Sequence, residues 1–257
     1  MKKLLTAVLA GAAAISLCAC GKSNKLVVGT NAAFPPFEYK DQDGKITGFD
    51  MELIKAYGES VGKKVEIKDM EFDAALTSAS TGKIDIAIAG ITKNSKREET
   101  LSFSDGYYSS NQVVICKSGS TISTLTTETD ILSALEGKKI GCQRATTGQF
   151  YIEGDEDWGF DGIKDAQCKP YDNGGLAIKD LNDDKIDAVI LDEAPAKNIV
   201  AKNYSSTLTI LNTALTQEEY AIAVKKGNTE LVKSLNEFIK TIKDNGKYAE
   251  LLEKYFG

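Results

Sequence analysis

The chain of 257 residues is long enough for one large domain or two of ordinary size, and its 42% apolar and 26% charged residues read as a globular protein. It contains no histidine, which excludes Ser-His-Asp triads, Cys-His pairs, histidine bases and imidazole metal sites; enzyme chemistry would fall to carboxylates, Lys, Tyr or Cys. Lys and Arg number 31 against 37 Asp and Glu, and the net charge of −6 argues against the broad cationic surface that nucleic acid requires.

Lys2 and Lys3 precede an apolar run from Leu4 to Leu17, broken by Thr6, Gly11 and Ser16. Such a run reads as a signal peptide and is shorter than the ~20 residues that span a bilayer. Leu17-Cys18-Ala19-Cys20 is similar to a bacterial lipobox, which predicts removal of residues 1–19 and a lipid on Cys20. Bulky Leu17 disfavours Cys18 as the anchor, and ordinary secretory cleavage after Ala19 is the alternative. Removing residues 1–19 from 257 leaves 238, and losing Lys2 and Lys3 takes the charge from −6 to −8. Cys116, Cys142 and Cys168 remain, an odd number, so at most one internal pair can form. Their strand-like apolar surroundings suggest buried thiols, with a Cys142–Cys168 disulfide left open.

After a short tether, Lys25 to Gly29 reads as a strand. Asp50 is a plausible N-cap for a helix carrying Leu53, Tyr57 and Val61, and Val65 to Ile67 is the next strand. A helix over Phe72 to Thr81 stops at Gly82, and Ile84 to Ala89 is a buried strand. An extended stretch from Tyr107 to Cys116 and a Ser/Thr-rich loop from Ser118 to Thr129 follow. The alternation then restarts, with strands at Lys139 to Gln143, Gln167 to Tyr171 and Ile186 to Leu191 and helices around Thr147 to Glu153 and Gly174 to Asn182. Leu231, Leu235, Phe238 and Ile242 form one stripe of a C-terminal helix. Strands alternating with helices predict an α/β protein with largely parallel sheets. Lys83-Ile84-Asp85 and Lys185-Ile186-Asp187 each open an apolar strand, which suggests two similarly built lobes with Gly90 and Asp192 at equivalent strand ends. Ligands bind at the carboxyl ends of strands in open α/β sheets, so both ends would face a common cleft.

Seven segments in order carry a resemblance: Val28-Gly29-Thr30-Asn31 with Phe34-Pro35-Pro36-Phe37; Gly48-Phe49-Asp50; Ala89-Gly90-Ile91-Thr92 with Arg97; Phe103-Ser104-Asp105; Gln143-Arg144-Ala145-Thr146-Thr147-Gly148; Asp187-Ala188-Val189 to Asp192; and Glu219-Tyr220-Ala221-Ile222-Ala223-Val224. Over essentially the whole mature chain the sequence resembles the extracytoplasmic solute-binding proteins, family 3, of polar amino acid ABC transporters. The resemblance implies a periplasmic-binding-protein-like, type II fold: two α/β lobes joined by two crossover strands that close like a clam. Lobe 1 would comprise 25–106 and 221–257, the hinge strands 107–111 and 216–220, and lobe 2 112–215, behind a leader of 1–19 and a tether of 20–24. It further implies a monomeric binder without catalysis, cofactor or metal, whose partners are a free polar amino acid and the permease subunits. The chain would sit on the outer face of the cell membrane, the periplasmic side in a Gram-negative cell, held by its N-terminal lipid.

A free amino acid needs a fork of donors, an acidic acceptor and a selective pocket. By the resemblance, Arg97 grips the α-carboxylate with the backbone amides of Thr92 and Thr147, and Asp192 accepts the ammonium with the Gly90 carbonyl and the Thr92 hydroxyl. Phe34 and Phe72 flank the ligand side chain; Asn31, Gln143 and Leu191 read it; Ala89 and Thr146 complete the lining. Local sequence alone leaves alternatives: Arg97 as a solvated charge, Asp192, Thr146 and Thr147 as helix caps, and the phenylalanines as core. Asn31, where an acid would suit a cationic side chain, points toward a neutral ligand such as glutamine or cystine. Ala145 stands where the pattern commonly has Gly; a positive φ there would cost about 1 kcal/mol. Arg144 is expected to face solvent. No Gly-x-x-x-x-Gly-Lys-Ser/Thr loop occurs, so ATP chemistry lies elsewhere. The alternative is an enzyme resembling cyclohexadienyl dehydratase, which needs a buried general acid; Glu38 is expected on a solvent-facing edge and Glu71 on a helix start.

Overall fold

A computed structural model describes residues 24–257. The leader, the Cys20 anchor and most of the tether lie outside the described residues.

Two five-stranded sheets form the frame. The first runs Lys64–Asp69, Lys25–Thr30, Ile86–Ala87, Ala223–Lys225, Leu101–Phe103, and the second Gln167–Tyr171, Lys139–Gln143, Ala188–Asp192, Gln112–Lys117, Leu208–Ile210. In each, the first three strands are parallel and the last two pair antiparallel, so the sheets are mixed rather than largely parallel. Repeated helix crossovers dictate the parallel part. The antiparallel part arises where the chain passes between lobes and re-enters a sheet from the other end.

The Lys-Ile-Asp repeat has a structural counterpart. Ile86–Ala87 and Ala188–Asp192 each hold the third place of their sheet. Asp85 and Asp187 each accept a backbone N–H of the adjacent parallel strand, from Val27 and Lys139, both at 2.8 Å.

Between the sheets, Tyr108–Ser110 pairs antiparallel with Glu218–Tyr220. A small meander of Ala33–Phe34, Glu38–Lys40 and Ile46–Thr47 lies over the first lobe. The helix Phe49–Ser60 follows it, with Gly48 rather than Asp50 at the N-cap. At Gly48 φ is 128°, and a Cβ would fall 2.1 Å from the Phe37 carbonyl oxygen, so only glycine fits. Asp50 instead turns inward from the first helical turn, while Val61, expected on the buried stripe, is 39% exposed at the C-cap. The helix Phe72–Thr81 ends at Gly82, where φ is 74°. The C-terminal helices Thr229–Asp244 and Lys247–Phe256 bury Leu235, Phe238, Ile239, Ile242 and Leu251. The Phe256 ring stacks on Tyr108 with centroids 4.9 Å apart, tying the chain end to a linking strand.

Cys116 and Cys142 are buried and Cys168 is partly buried. Cys142 and Cys168 lie on adjacent parallel strands, offset by two positions in register, with their Sγ atoms 3.4 Å apart. Among the described residues, no helix is long and apolar enough to cross a membrane.

Candidate functional site

A small cavity lies where the two sheets' strand ends face each other. Asn31, Phe34, Glu38, Phe72, Ala89, Gly90, Thr92 and Arg97 line it from the first lobe, and Gln143, Thr146, Thr147 and Asp192 from the second. A wider open groove behind the linking strands, between Tyr108 and Lys197, offers no buried charged side chain and is less suited to a polar solute.

On the first-lobe side, Gly90 follows the third strand with φ 55°, and a Cβ would strike the Phe34 ring at 2.8 Å. Only glycine brings this backbone against the ring. Four residues on, Asn94 accepts the Arg97 backbone N–H at 2.8 Å and starts the short helix Ser95–Glu98. That turn aims Arg97 inward, where it is 8% exposed. Its Nη1 donates to the Thr92 carbonyl at 2.7 Å and its Nη2 to the Ala145 carbonyl of the other lobe at 3.0 Å. The guanidinium lies 5.3 Å from the Phe72 ring centroid and 5.0 Å from that of Trp158. Burial lowers its pKa to about 10, against the opposing pull of Glu218 and Asp192, so it stays charged at neutral pH.

The second lobe supplies the loop from Gln143 to Thr147. Ala145 takes φ 60°, the left-handed value inferred for this position. The strained turn is held by its N–H to Gln149 Oε1 at 2.8 Å and by its carbonyl to Arg97. Thr146 occupies the N-cap of Thr147–Glu153, but its hydroxyl donates to the Gln143 carbonyl at 2.8 Å. Gln143 Nε2 donates across the cleft to Asn31 Oδ1 at 3.0 Å, while Asn31 Nδ2 donates to the Met70 carbonyl at 2.9 Å. Arg144 is half exposed, 3.7 Å from Asp172.

Asp192 ends its strand and sits at the N-cap of Glu193–Asn203, yet its Oδ1 is turned to the Tyr220 hydroxyl at 2.5 Å and the Ser110 hydroxyl at 3.4 Å. Burial, and then the neighbouring Glu218, push its pKa up to about 7. Leu191 is placed differently from expectation. Its side chain meets Gly174, where a Cβ would lie 2.7 Å from Leu191 Cδ1, and it is absent from the cavity wall. Alternation along the strand explains this: Asp192 faces the cleft, so Leu191 must face the helix Gly174–Asn182.

Three groups escaped the sequence reading. Glu38 was expected to face solvent but is 0% exposed and lines the cavity. Burial falls residue by residue along Glu38–Lys40, from buried Glu38 through partly buried Tyr39 to exposed Lys40, so the strand enters from the interior rather than alternating between faces. Among the described residues neither Glu38 carboxyl oxygen has a hydrogen-bond partner. Burial, then the Asp50 and Asp192 charges, hold its pKa well above the carboxylate range. Behind it, Asp50 accepts from the Tyr107 hydroxyl at 2.7 Å and the Gly90 N–H at 3.0 Å, and burial raises its pKa to about 6.

Glu218, on a linking strand, is the second. It accepts from Thr92 Oγ1 at 2.5 Å and Thr147 Oγ1 at 2.7 Å, one from each lobe, and from Gln112 Nε2 and Thr216 Oγ1. The Thr92 hydroxyl is therefore directed to Glu218, not to the position of a ligand ammonium. Trp158 is the third; nothing in its local sequence marked it. Glu71 is exposed at the N-cap of Phe72–Thr81, outside the cavity.

Residues 26–257 match the model of bacterial extracellular solute-binding proteins, family 3. The probable histidine-binding protein of Neisseria gonorrhoeae is 32% identical, the alignment covering 100% of this chain and 96% of that protein. The arginine-binding extracellular protein ArtP of Bacillus subtilis is 29% identical over 100% of this chain and 98% of its own length. Among solved structures, an ancestral arginine-binding protein bound to arginine superposes with a TM-score of 0.81 and 36% identity, covering 91% of this chain and 99% of that one. These relatives are named as binding proteins, not enzymes, and the dehydratase-like alternative is not favoured. With two lobes of matching topology, a polar cavity between them and a family match spanning nearly all the described chain, this protein belongs to the bacterial extracellular solute-binding proteins, family 3, and has their type II two-lobe fold.

Proposed function

We propose that this chain captures a free polar amino acid between its lobes and delivers it to the permease of an ABC transporter, as a monomer held to the outer face of the cell membrane by a lipid on Cys20. The observation that carries this reading is one cavity presenting a buried cation, Arg97, and a buried acid, Asp192, from opposite lobes. Arg97 takes the α-carboxylate with the Thr92 and Thr147 amides, and Asp192 takes the ammonium with the Gly90 carbonyl. Phe34 and Phe72 cover the side chain, with Ala89 and Thr146 completing the wall. Residues 107–111 and 216–220 act as the hinge between 25–106 with 221–257 and 112–215.

Glu38 favours a ligand that brings it a hydrogen-bond donor, and a cationic donor would draw its raised pKa back down. A buried carboxyl with both oxygens unpartnered is costly unless a donor arrives. Asn31, which suggested a neutral ligand, directs its amide to Met70 and Gln143. Arginine, the ligand in the names of two of the compared proteins, is the first candidate.

A thermal-shift panel of the twenty amino acids with cystine and ornithine tests the reading, because a ligand bound only by the native state raises the melting temperature. Arginine should give the largest shift, and Arg97→Ala or Asp192→Ala should abolish it. Unchanged shifts in both variants would defeat the site assignment. Cys20→Ala should release the protein from the membrane fraction; continued membrane association would refute the anchor.

A further inference from the structure

The segment after the helix Thr147–Glu153 is a built turn that belongs to the second lobe by sequence but reaches the first. Gly154, Gly159 and Gly162 take φ of 82°, 73° and 79°, and the Asp155 carboxylate accepts the Asp157 and Trp158 backbone N–H groups at 3.0 and 3.3 Å. Asp155 and Phe160 close the turn by a backbone bridge. Phe150 supports the Trp158 ring from below, with centroids 4.9 Å apart. At its tip, Trp158 lies 5.0 Å from the Arg97 guanidinium, and Asp157 Oδ2 is 2.5 Å from Lys96 Nζ. Two consecutive side chains of the turn thus hold two consecutive side chains of the first-lobe helix Ser95–Glu98.

The geometry points to Trp158 as a positioning residue for solute binding: it closes over Arg97 once the lobes meet, and sets how long the bound solute is retained. This rests on the amino acid reading above, in which Arg97 grips the α-carboxylate. A cation confined between aromatic rings keeps its charge without water, and its remaining N–H groups stay directed at the cavity. When the lobes part, Trp158 and Arg97 separate, so the contact stabilises the closed state alone. A contact formed only after encounter changes release more than capture. The Lys96–Asp157 pair, exposed on both sides, guides the closure and adds little to it.

The test is stopped-flow binding of L-arginine, or of whichever amino acid gives the largest thermal shift, to wild type, Trp158→Ala, Trp158→Phe and Asp157→Asn. Trp158→Ala should raise the release rate about tenfold while capture changes less than about threefold, and Trp158→Phe should restore most of the retention. Asp157→Asn should raise release by no more than about threefold, and only at low salt. A wild-type release rate in Trp158→Ala overturns the clasp. Trp158 is also the single tryptophan of the chain, so wild-type fluorescence reads the contact without a variant. Acrylamide quenching should fall when ligand is added, and unchanged quenching on saturation overturns the clasp even if Trp158→Ala misfolds. If wild type binds no amino acid, the proposed function fails and the clasp with it; binding with unaltered release removes the clasp alone.

Discussion

Asp50 and Asp192 are acids held away from water, and both have folded-state pKa values above those of an unfolded chain. A group whose pKa rises on folding contributes stability at low pH, and that contribution is lost as pH rises through the folded value. For Asp50 the rise from 3.8 to about 6 corresponds to roughly 3 kcal/mol withdrawn from the empty protein at neutral pH. The melting temperature of the ligand-free protein should therefore fall between about pH 4 and about pH 7, and Asp50→Asn should flatten the part of the fall up to about pH 6. A pH-independent melting temperature would contradict the burial argument. Ligand affinity should move the other way. An ammonium selects ionised Asp192, so the dissociation constant for arginine should tighten as pH rises through about 7, by calorimetric titration. Glu38→Gln should weaken arginine about tenfold or more while affecting glutamine less, since only the cationic end loses a partner.

At the scale of elements, the two Lys-Ile-Asp strands are the part most fully written in the sequence. Each needs an apolar run to sit inside a sheet and an aspartate to receive a neighbour's N–H, and both requirements are local. Strand direction beyond that is not local, because pairing with Ala223–Lys225 or Gln112–Lys117 depends on where the chain returns. The neighbouring strands Lys139–Gln143 and Gln167–Tyr171 carry a further expectation. With Cys142 and Cys168 sulfurs 3.4 Å apart, a small-molecule disulfide such as oxidised glutathione should join them, leaving Cys116 as a single free thiol. Thiol counting by alkylation after unfolding checks this, and the bond should add about 2–4 kcal/mol to stability. Three alkylated thiols in that range of the chain after oxidation would refute it.

For the whole molecule, closure is carried by contacts between lobes: Gln143 to Asn31, Arg97 to the Ala145 carbonyl, and Glu218 between Thr92 and Thr147. Glu218 belongs to a linking strand and joins both lobes, so it is placed to bias closure itself. Glu218→Gln retains the shape but weakens hydrogen bonds to a charged acceptor, each worth about 1.5–3 kcal/mol. The expected outcome is weaker arginine binding together with a radius of gyration, by small-angle scattering, that contracts less on saturation. Full contraction at wild-type affinity would show that Glu218 merely fills the joint.

The sequence by itself determined the α/β class, the two-lobe plan, the placement of most helices and the residue types that gather at the cavity. These follow from periodicity, turn glycines and motifs in order, which are properties of neighbours along the chain. Only the tertiary structure decided which side chains face the cleft. Leu191 and Asp192 are adjacent yet point to opposite sides of one strand, and Glu38 reads as an edge residue until the meander folds it over Asp50. Trp158 and Glu218 matter through partners far away in sequence, Arg97 for the first, Thr92 and Thr147 for the second. Burial, and with it every raised pKa in the site, is a property of the assembled lobes, because removing water from a carboxylate takes surfaces that no single segment of the chain supplies.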